Sequence, residues 1–244
     1  MFEIFFYQPI LNLLIFLYNI VPGHDLGIAI ILLTIVIKVA LWPLSRQALQ
    51  SQKNLQELQP EMENIKKEHK ENKEELGRAM MNLYKTKKVN PFSSCLPLII
   101  QLPFFIAVFH VFRDGFNNGS LDLVYSFINK PELINSVSFG FIDLSQKVAA
   151  FAFLAGVAQY WQAKITLDTQ VQSVDSKNDI QAIMNKQMLY FMPILTVVIG
   201  LTLPGGLSLY WLTTTIITII QQNIIQKTKN TSPSSQVVEG EVIQ

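Results

Sequence analysis

The chain has 244 residues, 50% of them hydrophobic and 15% charged, with a net charge of +1 and a mean hydropathy of +0.29. These values exclude an ordinary soluble domain: the charges fall in clusters between long apolar stretches, which is the composition of a polytopic membrane protein. The single cysteine, Cys95, excludes an internal disulfide and a cysteine-rich metal site, and in its apolar segment it reads as a small core residue.

Residues 1–25 carry an aromatic-rich apolar segment interrupted by Pro9, Asn12 and Asn19. It lacks a basic leader, a small-residue cleavage site and a cysteine for lipidation. It is expected to be a helix lying in the membrane interface on the external side, with a sixth span as the alternative.

Five spans are predicted, at 26–44, 92–112, 144–163, 188–203 and 207–225. An apolar run of about 20 residues crosses a bilayer core at a rise of ~1.5 Å per residue. The first span contains one charge, Lys38. A charge inside such a helix costs roughly 2.5–3.5 kcal/mol, which makes it a functional candidate. The alternative is a snorkelling anchor, since Lys38 lies six residues before Leu44.

Segment 45–90 carries ten Lys and Arg against seven Glu, a surplus of three. Loop 113–143 carries only Arg113 and Lys130, loop 164–186 carries Lys164, Lys177 and Lys186, and the tail 227–244 carries Lys227 and Lys229. The positive-inside rule places 45–90, 164–186 and the C-terminus in the cytoplasm, and 113–143 and the N-terminus outside. Within 45–90, Leu55, Leu58, Met62 and Ile65 form one apolar seam, and Leu76, Met80 and Leu83 a second one after a break near Asn72. That pattern predicts a cytoplasmic two-helix hairpin, kinked or restarted at Pro60. The tail reads as disordered. There is no internal repeat or inverted pair of halves.

The polar residues of the spans share one depth. Thr34, Lys38 and Ser45 lie toward the cytoplasmic end of the first span, Ser93, Ser94 and Gln101 in the inner half of the second, and Gln159, Gln162 and Thr166 at the inner end of the third. Ser208, Trp211, Thr215, Thr218 and Gln222 form a stripe on the fifth. Polar side chains in a membrane face a bundle interior or a water-filled cavity. The pattern predicts a hydrophilic groove open to the cytoplasm, built from Lys38, Thr34, Gln101, Gln159, Gln162, Trp211, Thr215 and Thr218. The competing explanation is that these groups only bridge helices. Pro97, Pro103 and Pro193 are expected to bend their helices, and Ala152 with Gly156 to pack one helix closely on another.

No nucleophile, phosphate-loop or zinc motif is present, and His24, His69 and His110 have no ligand spacing. No enzyme activity, metal or cofactor is expected. No predicted span contains Asp or Glu, which counts against a proton- or sodium-coupled transporter.

The stretches QPILNLL, IVIKVALWPLS, LQELQPEMENIKKEH, NPFSSCLPLIIQLPFF and LSLYWLTTTIITIIQQ resemble the YidC/Oxa/Alb membrane protein insertases, over roughly residues 5–226. The resemblance implies an all-α, five-span protein of the bacterial plasma (inner) membrane. It implies that a nascent chain's polar tail enters the groove from the cytoplasm, drawn by the positive residue, while its hydrophobic segment leaves sideways into lipid. No nucleotide is needed. Nascent membrane proteins and the lipid bilayer are the implied partners, with the Sec translocon, a targeting receptor and the ribosome as further candidates. Direct nucleic-acid binding is not expected. Two features depart from the family: Lys38 stands where most members have arginine, and the tail lacks the basic residues that some relatives use at the ribosome. A channel or solute transporter using the same cavity, and an assembly scaffold without insertion activity, are the competing functions.

Overall fold

The computed structural model describes residues 1–70, 72–90, 96–113, 121–168 and 187–230. Ser93, Ser94, Cys95, Lys177, Lys186 and the tail beyond Asn230 lie outside them. Among the described residues the chain is almost entirely helical, with one two-stranded hairpin.

A π-helical turn at Glu3–Tyr7 runs directly into α1, Gln8–Ile20. Together, Glu3–Ile20 form a continuous helix long and apolar enough to cross a membrane. Pro22 and Gly23, the latter at φ 76°, turn the chain before Asp25 caps α2, Leu26–Ala40. The expected first span does not continue to Leu44. It breaks at Leu41, and α3, Trp42–Glu57, begins there with Pro43 in its first turn. Proline removes one donor and clashes with the carbonyl four residues back, so the helix restarts at an angle. The bend between α2 and the following helical run is 67°.

The predicted hairpin is present in finer detail. Its first helix is split: α3 is followed by α4, Gln59–Glu68, with Pro60 in the first turn. Asn72 caps α5, Lys73–Thr86, by accepting from Glu74 N at 3.1 Å and Glu75 N at 3.2 Å. Leu58 and Met62 are buried in the seam. The Tyr84 hydroxyl lies 3.9 Å from Met62 Sδ, and Lys87 pairs with Glu61 at 2.6 Å.

The remaining helices are α6, Leu96–Arg113, with Pro103 inside it; α7, Ala149–Asp168; α8, Met192–Gly200; and α9, Gly205–Asn230. A π-helical turn, Gln187–Phe191, leads into α8, with Pro193 in its first turn. The third span begins later than expected because 144–148 is not helical. There the Leu144 and Gln146 carbonyls accept from Gly206 N at 3.0 Å and Gly205 N at 2.7 Å. The two glycines therefore serve close approach: an added Cβ would sit 2.6 Å from Val148 Cγ2 at Gly205, and 2.3 Å from Phe112 Cε1 at Gly206. The small-residue contact between α7 and α8 is also real. A Cβ on Gly156 would lie 2.3 Å from Val197 Cγ2, and one on Gly200 would lie 2.8 Å from Ala152 Cβ.

Helix lengths alone do not establish five spans. Among the described residues only Glu3–Ile20 is long and apolar enough by itself, and the bent pair Leu26–Ala40 with Trp42–Glu68 qualifies as one broken span. Ile99–Arg113 and Gln187–Gly200 are shorter apolar helices. Exposure is more telling than length. Ile35, Val36 and Val39 on α2, Phe153 and Val157 on α7, Ile194 and Val198 on α8, and Ile216, Ile220 and Ile224 on α9 all face outward, while Asn12, Thr34, Lys38, Thr196, Gln221 and Gln222 are buried. Apolar outside and polar inside is the arrangement that a lipid solvent selects.

Segment 121–148 packs along α1. Leu123 O accepts from Gln8 Nε2 at 3.1 Å and from Asn12 Nδ2 at 3.0 Å, and Tyr125 N donates to Asn12 Oδ1 at 2.7 Å. Asn19 Nδ2 donates to Asn129 O at 2.7 Å, and Asn135 N to the Tyr18 hydroxyl at 2.9 Å. The polar residues that interrupt α1 thus satisfy the backbone of an irregular segment. Strands β1, Val137–Ser138, and β2, Ile142–Asp143, pair Ser138 with Ile142. This hairpin caps the start of α2, at the opposite end of that helix from α3–α5.

Candidate functional site

Helix α9 is the hub, packing on α2, α3, α6 and α7. Its faces toward α2, α6 and α7 carry polar contacts. On the α2 face, Lys38 Nζ donates to Thr218 Oγ1 at 3.0 Å. Lys38 is only 8% exposed. Thr218 in turn donates to Thr214 O at 2.8 Å. An ammonium group carries three donors, and among the described residues no carboxylate lies within ion-pairing distance of this one. Lys38 lies eleven residues past Gly27, roughly 17 Å along the helix from the outer hairpin.

On the α6 face, Gln101 Nε2 donates to the buried Tyr210 hydroxyl at 2.6 Å, and the Trp211 ring meets Phe105 edge-on at 5.4 Å. On the α7 face, Gln222 Nε2 donates to Thr166 Oγ1 at 3.3 Å. Toward the end of α8, Ser208 Oγ donates to Gly200 O at 3.2 Å.

The predicted groove residues therefore divide. Lys38 and Thr218 are joined directly, and Gln101 on α6 and Trp211 on α9 both lie at the α6–α9 contact. Thr34 and Thr215 are buried, and their hydroxyls donate to Ile30 O at 2.7 Å and Trp211 O at 2.9 Å within their own helices. They line the helix contact rather than an open wall. Gln159 accepts from Thr196 Oγ1 at 2.7 Å, so it bridges α7 to α8, the role that the competing explanation gave to such residues. Gln162 is half-buried on α7, where its carbonyl accepts from Thr166 Oγ1 at 2.9 Å.

Two participants escaped the sequence pattern. Tyr210 and Gln221 are almost fully buried on α9, one position off the stripe used to predict the groove. Their signal is a second stripe, Tyr210, Thr214, Gln221, at spacings of four and seven. Gln221 Nε2 and Gln222 Oε1 are buried without a hydrogen-bond partner, so the inner end of α9 keeps free amide capacity. Among the described residues, no group of three or more His, Cys, Asp or Glu could hold a metal.

Among the described residues, Lys38 is thus a buried ammonium held by one neutral hydroxyl, in a bundle whose outer faces are apolar. Comparison with known proteins agrees on the setting. The profile of the 60Kd inner membrane protein family matches residues 16–232. The chain belongs to this family. A membrane protein insertase YidC of Fusobacterium nucleatum subsp. nucleatum is 32% identical over 225 residues, which are 91% of this chain and 98% of the relative. One from Buchnera aphidicola subsp. Baizongia pistaciae is 36% identical over 229 residues, 93% of this chain but 38% of the relative. One from Syntrophobacter fumaroxidans is 31% identical over 223 residues, 89% of this chain and 37% of the relative. The chain thus spans little more than a third of those two relatives and nearly all of the first. Within the 60Kd inner membrane protein family, the matched region takes in Lys38, the hairpin, and all of α6–α9.

Proposed function

We propose that this protein is a membrane protein insertase and chaperone of the bacterial inner membrane, multi-pass, with its N-terminus outside and its C-terminus in the cytoplasm. The observation that carries the proposal is Lys38: a buried charge whose partner is Thr218, on the helix pair at the centre of the bundle. In the mechanism, the polar tail of a nascent membrane protein enters between α2, α6 and α9 from the cytoplasmic end. A carboxylate in that tail replaces Thr218 as the partner of Lys38. A charge-assisted contact is worth about 1.5–3 kcal/mol, enough to hold a tail transiently without trapping it. Gln101, Gln162, Trp211, Gln221 and Gln222 offer hydrogen bonds and ring surface to the rest of the tail. Burial of the substrate's own apolar segment in lipid, about 25 cal/mol per Å², drives its release sideways.

The five spans, the groove and the sidedness belong to this proposal. The interfacial placement of α1 is supported by the irregular segment along its length, since lipid-exposed irregular backbone does not occur within the hydrocarbon. The Sec translocon, a targeting receptor and the ribosome are candidate partners. The test is reconstitution of the pure protein in vesicles with a short single-span substrate. Protease protection of the substrate's tail is expected. Solute flux without any nascent chain would favour a channel, and intact folding with no tail translocation would favour a scaffold.

A further inference from the structure

We infer that segment 121–143 is a second interfacial anchor, its apolar side chains seated at the headgroup–acyl boundary of the outer leaflet. The inference rests on the proposed sidedness of the bundle, not on insertase activity. Phe127 is 80% exposed, Leu133 88% and Phe141 80%. Isolated exposed apolar residues are ordinary, but three nearly bare large ones within fifteen residues of an otherwise well-bonded segment are not.

Two structural links make this surface continuous with the apolar exterior. Asn19 Nδ2 holds Asn129 O at 2.7 Å, which puts Phe127 beside the end of α1, where Phe16 and Ile20 are exposed. The Phe139 ring lies against Gly27, where an added Cβ would come within 2.9 Å of it, and Ile28 next to that glycine starts the outward apolar stripe of α2. Phe139 and Gly140 both have positive φ, 52° and 82°, and this turn places Phe141 at the tip of the hairpin.

A fluid lipid boundary fits this surface better than a shaped protein partner. The three side chains are spread along the segment rather than gathered in a groove, and Asp122, Lys130 and Glu132 lie among them, as suits a headgroup layer. The backbone is already bonded to Gln8, Asn12 and Tyr18, so shallow immersion strips little of it from water. Phe and Leu are among the side chains that interfacial segments bury at this boundary.

The test uses the full chain with Cys95→Ser, reconstituted in vesicles of phosphatidylcholine and phosphatidylglycerol. Single cysteines at Phe127, Leu133 and Phe141 carry a nitroxide, and collisions with oxygen and with a water-soluble nickel chelate are measured. Lys130→Cys is the aqueous reference and Val36→Cys the lipid reference. The expected result is a several-fold lower nickel collision rate at the three positions than at Lys130, with oxygen collision approaching that at Val36. A profile like that of Lys130 would overturn the inference, and so would protection from both reagents, which would mean burial against protein. Free nickel access at Val36 as well would overturn the membrane placement on which the inference stands.

Discussion

Lys38 is the residue on which the proposed mechanism turns. Its charge costs roughly 2.5–3.5 kcal/mol to place in a span, and one neutral hydroxyl offsets only part of that. Lys38→Ala and Lys38→Glu are expected to reduce insertion of acidic-tailed substrates several-fold, while Lys38→Arg keeps it, because a charge rather than a shape is required. Protease-protection assays with acidic and neutral tails measure this, and normal insertion of acidic tails by Lys38→Ala would reduce Lys38 to an anchor. The glycines act through volume. Gly156→Ala would drive a methyl to 2.3 Å from Val197 Cγ2 and 3.2 Å from the Pro193 carbonyl. Overpacking of this kind costs about 1–3 kcal/mol. A lower melting temperature in detergent is expected, partly restored by adding Val197→Ala.

At the scale of elements, the outer hairpin and the start of α2 form one unit through Asp25. Its carboxylate accepts from Gly27 N at 2.9 Å, Ile28 N at 3.1 Å, Phe139 N at 2.6 Å and the Ser138 hydroxyl. Partial burial pushes the Asp25 carboxyl up, but the bonds from Ser138, Phe139, Ile28 and Gly27 outweigh it and hold the pKa below the ordinary value. A depressed carboxyl contributes stability that is whole above its unfolded pKa of about 4 and is lost as pH falls through the folded value. Proteolysis of 137–143 from the outside should therefore rise as external pH drops below ~4. Asp25→Asn should be more cleavable at neutral pH and show a smaller rise on acidification, the remainder coming from Asp143, whose carboxyl the Ser145 and Ser136 hydrogen bonds also hold below the ordinary value. The hairpin of α4 and α5 is the opposite case. Helices α4 and α5 pack chiefly on each other, whereas α3 packs on α6 and α9. Deleting 56–85 and joining the ends with a flexible linker should leave the bundle folded, with an unchanged melting temperature, while insertion falls sharply. Degradation of the truncated chain in the membrane would show that the hairpin is structural.

For the molecule as a whole, the two ends of α2 separate one apparatus, α1 with 121–143, from a second, α3–α5. In the proposed topology the Lys and Arg surplus of 45–90 faces α3–α5 to the cytoplasm. Single cysteines at Lys66 and Lys130 should then label from opposite faces of sealed vesicles, and labelling of both from one face would overturn the topology.

The sequence by itself determined the all-α membrane class, the hairpin with its restart at Pro60 and break near Asn72, and Lys38 as the residue of interest. Each of these follows from local composition: apolar runs, seam periodicity and its interruption, a proline, a lone charge. Tertiary structure alone decided which polar residues meet. A stripe on one helix states only which way its side chains point, so it could not separate Thr218, which bonds Lys38, from Thr215, which bonds its own backbone. It could not assign Gln159 to α8, or find Tyr210 opposite Gln101. Nor could it show that Gln8, Asn12 and Asn19 hold a segment more than a hundred residues away. Those partners are set by how the helices cross and by which backbone groups a loop leaves unpaired, and neither is encoded in the periodicity of any single segment.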